Sequence, residues 1–139
     1  MRGMILSLAV VALCLGTPAI AGDAEVKAAQ TTIDSQLKAF LRDDGAAAYS
    51  FAAPGIKQMF PTVESFMDMV TGGYAPVRRP RSYAFGKAEE IGAGSIVQQM
   101  LIVGPDGKDY EAVYTLELQP DGQYRITGVS LRASNSFST

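Results

Sequence analysis

The 139-residue chain has no histidine, no tryptophan and one cysteine, Cys14. Without histidine it cannot build a Ser-His-Asp triad or a Cys-His pair, and it lacks the side chains of an ordinary zinc site or of the common haem ligations. The cysteine lies in an apolar run, Met4 to Gly16, that follows a basic start at Arg2 and precedes Ala19-Ile20-Ala21. That order reads as a secretory signal peptide over residues 1–21, cleaved between Ala21 and Gly22. The run is shorter than the ~20 residues a membrane span needs. Cys14 follows Leu13 with no small residue before it, unlike a lipoprotein cysteine.

Residues 22–139 are enough for one domain with one core. The expected setting is periplasmic or secreted, with no membrane association once the leader is gone. The full chain carries a net charge of −2, and losing Arg2 makes it slightly more acidic. That balance argues against nucleic acid as a partner. No cofactor and no metal is expected.

What is present is a run of strand grammar from Ser95 to Arg132. Three stretches rich in Val, Ile, Tyr and Thr are separated by two copies of Pro-Asp-Gly, at 105–107 and 120–122. Proline presets the turn and glycine supplies its positive φ, so the segment reads as a three-stranded antiparallel meander. Closing the first turn with Gly104 opposite Lys108 sets Gln98 against Tyr114 and Ile96 against Leu116. Closing the second with Gln119 opposite Gln123 sets Leu116 against Ile126, Tyr114 against Gly128 and Ala112 against Ser130. One face then carries Ile96, Met100, Ile102, Tyr110, Ala112, Tyr114, Leu116, Leu118, Tyr124 and Ile126. Val97, Leu101, Val113, Val129 and Leu131 are expected among polar residues on the other face, where a homodimer contact would form.

Before the meander, residues 23–43 repeat apolar positions at three- and four-residue steps, from Val26 and Ala29 to Phe40 and Leu41, and predict a helix about 30 Å long. Asp23 is its expected cap. A short helix over 46–52 follows, capped by Asp44, then a turn near 56–60 and a third helix capped by Thr62 and ended by Gly72-Gly73. Pro76 and Pro80 predict an extended connector over 74–81. A first strand is expected over 82–91, and the tail after Arg132 has no pattern.

A long helix, short helices and then four strands make an α+β fold, with a curved, mainly antiparallel four-stranded sheet. The order resembles the nuclear-transport-factor-2-like cone. D-D-G-A-A-A-Y-S-F-A-A-P-G-I at 43–56, M-F-P at 59–61, G-Y-A-P-V-R-R-P-R-S at 73–82, Y-T-L-E at 114–117 and R-I-T-G at 125–128 are similar to a bacterial family known as domain of unknown function 4864. The resemblance covers about residues 25–132. It implies the fold and an exported setting, and it implies no activity.

Three groups of residues invite a functional reading. Gln98, Tyr114, Gly128 and Ser130 would share the inward face, where the missing side chain of Gly128 opens a small polar pocket; the bland alternative is close helix packing. Arg78, Arg79 and Arg81 form the one charge cluster, as an anion or partner contact or as rim residues paired with helix acids. Asp106, Asp109 and Glu111 could offer oxygens to a hard cation, though turn formation alone explains Asp106. The stripe Val63, Phe66, Met67 and Val70 reads as core, and Met59, Met67 and Met69 as gap-fillers. The favoured function is a non-catalytic domain binding a small ligand or a protein. The alternatives are a lyase, isomerase or hydrolase working through carboxylate and tyrosine, and a structural homodimer module.

Overall fold

The computed structural model describes residues 22–134; residues 1–21, where a signal peptide is expected, and residues 135–139 lie outside them. Among the described residues the chain runs α1 (Asp23–Leu41), α2 (Gly45–Ser50), α3 (Pro54–Met59), α4 (Val63–Gly73), α5 (Ala75–Arg78), β1 (Ser82–Glu90), β2 (Ser95–Val103), β3 (Asp109–Leu118) and β4 (Tyr124–Ala133). The strands form one antiparallel sheet in the order β1-β2-β3-β4. This is the expected α+β architecture, an open sheet consistent with a nuclear-transport-factor-2-like cone.

Helix α1 lies across the sheet. Its apolar stripe, Ala29, Ile33, Leu37 and Phe40, is buried with Ile96, Met100, Tyr114 and Leu116 of the strands. Asp23 does not cap it: Gly22 occupies the cap position without a side-chain bond, and Asp23 and Glu25 instead place negative charge in the first turn, at the positive end of the dipole. The helix stops at Leu41 because Asp43 takes a left-handed backbone, φ 60°. The caps expected for α2 and α4 form. Asp44 accepts from the Ala47 amide at 3.0 Å, and Thr62 exchanges bonds with Ser65 in a capping box.

Two helical boundaries differ from expectation. Gly72 and Gly73 continue the last turn of α4. The connector is not extended throughout: Ala75–Arg78 form a helical turn with Pro76 in its first positions. Proline is compatible there because the first amides of a helix have no intrahelical partner to lose.

Strands β2 and β3 pair in the expected register, with Gln98 opposite Tyr114 and Ile102 opposite Tyr110. Strand β4 starts as expected, Leu118 opposite Tyr124 and Leu116 opposite Ile126, and then a bulge at Thr127 shifts the pairing. Gly128 therefore lies opposite Thr115, not Tyr114, and Ser130 opposite Val113, not Ala112. One extra residue exchanges the two faces of everything after it. Val129 and Leu131, expected on the outer face, turn inward and pack on the core, opposite Tyr114 and Ala112. The burial of those two side chains is the physical reason for the bulge. A second bulge, between Phe85 and Ala88, bends edge strand β1.

The opposite edge of the sheet is partly covered. Ile126 donates to Phe51 O at 2.9 Å and accepts from the Ala53 amide at 2.8 Å, so the chain between α2 and α3 adds one bridge to β4. No helix among the described residues is long and apolar enough to cross a membrane.

Candidate functional site

Small residues, Ala52 and Ala53, carry the chain across the strand edge, while the Cβ position of Gly128 points to Thr115 Oγ1 and not to the helices. A cavity of ≈ 270 Å³ lies between α1, α3, α4, α5 and β4. Phe40 forms one wall, Ile56 and Met59 of α3 another, Phe66, Met69 and Val70 of α4 a third, and Ile126 to Val129 the strand side. Val77 of α5 completes it. The wall is stiffened by aromatic contacts, Phe40 with Phe66 at 6.2 Å and Tyr49 with Phe66 at 5.2 Å between ring centres. Met59, at the edge of the cavity, is 72% exposed.

Among the described residues no charged side chain lines this space. Its polar side chains are Gln36, Tyr74 and Thr127. Gln36 Nε2 donates to Ala48 O at 3.1 Å, the Tyr74 hydroxyl to Val129 O at 3.3 Å, and Thr127 Oγ1 to Thr115 Oγ1 at 2.8 Å.

The four residues read as an inward pocket do not come together. Gln98 and Tyr114 are fully buried, Gly128 is half-buried beside the cavity just described, and Ser130 is exposed. Gln98 has a structural task. Its Nε2 faces the carbonyls of Gly86, Lys87 and Gln99 at 3.2, 3.3 and 2.8 Å, tying down the β1 bulge, and its Oε1 accepts from Gln30 Nε2 at 3.0 Å. The Tyr114 hydroxyl is enclosed with no hydrogen-bond partner among the described residues. Burial first, then the neighbouring Tyr83 phenol, pushes its pKa far above the usual phenol range.

Two members of the arginine cluster are engaged at the end of α1. Arg78 Nη1 donates to Phe40 O at 2.6 Å and Nη2 to Asp43 Oδ1 at 2.9 Å. Arg79 donates to Leu41 O at 3.1 Å and also to Asp43 Oδ1. The Arg78 hydrogen bond, with the charge of both guanidinium groups, holds the Asp43 carboxyl below its ordinary value. Arg81 lies apart, its guanidinium over Gly107 in the β2–β3 turn.

The acids of the first hairpin are likewise placed. Asp106 accepts from the Lys108 amide at 3.0 Å and the Tyr110 hydroxyl at 2.6 Å, which lowers its pKa, Tyr110 first. Glu111 pairs with Arg132 at 2.9 Å. On the outer face Val97, Leu101 and Val113 remain, with Leu101 49% exposed.

Residues 23–139 match the family described as Domain of unknown function (DUF4864). The chain belongs to that family. Membership in DUF4864 fixes the relationship that the motifs at 43–56 and 73–82 suggested, and it brings no activity with it. No curated protein matches the chain. A crystal structure of a "known function protein" from Kribbella flavida DSM 17836 is similar at 18% identity, over 79% of this chain and 89% of that one, with a TM-score of 0.49.

Proposed function

We propose that this protein is a non-catalytic binding domain whose ligand is one compact, largely apolar molecule held in the cavity between α1, α3, α4, α5 and β4. The observation that carries this is the cavity itself: ≈ 270 Å³ walled by aliphatic, aromatic and methionine side chains, with Gln36, Tyr74 and Thr127 as its polar points. An engineered apolar cavity of ~150 Å³ already binds benzene, and methionines at a rim adapt to different shapes. The Tyr114 hydroxyl is enclosed in the core away from the lining, and the Tyr74 hydroxyl that does line the cavity donates to Val129 O with no lining carboxylate beside it to work as acid or base.

The proposal includes export, supported by the basic start, the apolar run and Ala19-Ile20-Ala21. It also assigns the fold to the nuclear-transport-factor-2-like superfamily, supported by a long first helix lying across an open antiparallel sheet. Native mass spectrometry of the exported protein, offered p-xylene, tests the binding function. The expected result is one bound molecule per chain, lost in a folded Met69→Trp variant whose indole occupies the cavity. Wild-type protein that takes up no molecule would refute it.

A further inference from the structure

Gln36 is 4% exposed and lines the cavity. Its donation to Ala48 O at 3.1 Å fixes which end of the carboxamide is which, so the other end is the acceptor Oε1. Among the described residues no N–H or O–H group donates to that oxygen. It is also not sealed in protein, because the enclosed side-chain polar atoms without a partner among the described residues are Glu25 Oε2 and Tyr114 Oη. Gln36 Oε1 therefore keeps open surface, and the space its side chain borders is the cavity.

The Tyr74 hydroxyl hydrogen is committed to Val129 O, so its oxygen too has lone pairs and no hydrogen to offer, and the Thr127 hydroxyl is held by Thr115 Oγ1. Buried amide oxygens are nearly always paired with a donor, because an unpaired one is costly. With no charged side chain in the lining, an anion entering here would leave water for a site of acceptors.

We infer that the ligand is a neutral, compact molecule with an apolar body and one hydroxyl or N–H group, which donates to Gln36 Oε1. The inference rests on the binding function proposed above and narrows it: carboxylates, fatty acids and phosphate esters are the wrong class. Specificity comes from an acceptor that an apolar ligand leaves unpaired.

Three probes of one shape separate the outcomes: p-cresol, p-xylene and p-toluate, titrated calorimetrically into the exported protein and into Gln36→Met, which keeps the side-chain length and removes the acceptor. Wild type is expected to bind p-cresol about five- to tenfold tighter than p-xylene, the worth of one neutral hydrogen bond, and to reject p-toluate. In Gln36→Met the preference for p-cresol disappears while p-xylene still binds. Equal wild-type affinity for p-cresol and p-xylene overturns the donor requirement and leaves the cavity function standing. Binding of neither overturns both, and p-toluate as the tightest probe overturns the exclusion of anions. Should Gln36→Met fail to fold, the wild-type ranking alone decides.

Discussion

Arg78 joins two ends of the helical layer through Asp43: one guanidinium nitrogen bonds the Asp43 carboxylate at 2.9 Å while the other bonds the Phe40 carbonyl at 2.6 Å. The last carbonyls of α1 have no intrahelical donors, and a cation at that end meets the negative pole of the helix dipole. Arg78 is also the better shielded of the two arginines, its side chain 17% exposed against 44% for Arg79. Single alanine variants should therefore rank in stability loss as Arg78, then Arg79, then Arg81. Arg78→Ala should cost about 2 kcal/mol for its charge-assisted bond to a half-buried carbonyl, and Arg81→Ala within about 0.5 kcal/mol. Urea unfolding of the three variants checks the order, and an equal, small loss in all three would contradict it.

The same junction sets a pH dependence. Asp43 has a folded pKa below its ordinary 3.8, so its contribution is fully present above that value and lost as pH falls through the lower, folded one. Stability should fall as pH drops below about 4, and Asp43→Asn should make that limb shallower. Thermal unfolding across that range measures it; an unchanged limb in Asp43→Asn would show that other carboxylates carry it.

Tyr83 supplies the alkaline counterpart. Burial, then its 2.5 Å hydrogen bond to Asp34, pushes its pKa up to about 12. A raised phenol pKa means stability that is complete below the unfolded value of about 10 and lost as pH rises toward the folded one. Tyr83→Phe should lose stability at neutral pH and lose the steepness of the alkaline limb, read by unfolding at pH 8 to 11. A variant with the wild-type alkaline profile would assign that limb to another group.

The enclosed Tyr114 hydroxyl makes no hydrogen bond among the described residues, so removing it removes a desolvated polar group and leaves no orphaned partner there. Tyr114→Phe should be as stable as wild type or up to about 1 kcal/mol more stable. A loss greater than that would mean the hydroxyl has a partner, such as an internal water.

The two hairpins show how far the sequence could be read. Both Pro-Asp-Gly turns form where they stand in the chain, and the β2–β3 register follows residue by residue from the first. The second register holds only as far as Ile126. Its failure was visible in the pattern: Tyr124 and Ile126 are apolar on even numbers, Val129 and Leu131 on odd ones, and one bulged residue is what puts all four on a single face. Extrapolating the turn past Ile126 hid that change of phase and produced the pocket assigned to Gln98, Tyr114, Gly128 and Ser130. The cavity was harder to see. Met69, Val70 and Phe66 follow ordinary helical spacing, and nothing in that spacing tells a filled interior from one with space left in it. Val129→Asp should cost several kcal/mol by placing a charge on the core face, and Ser130→Asp no more than about 0.5 kcal/mol. The reverse order would restore the unbulged register.

The most direct test of the proposed binding function is methyl NMR of the protein titrated with p-cresol. The methyl groups of Met69 and Val70, on the cavity wall, should shift with one saturable affinity, while Leu101 and Val113 on the outer sheet face stay unmoved. Shifts confined to Leu101 and Val113, or none at any of the four, would contradict it.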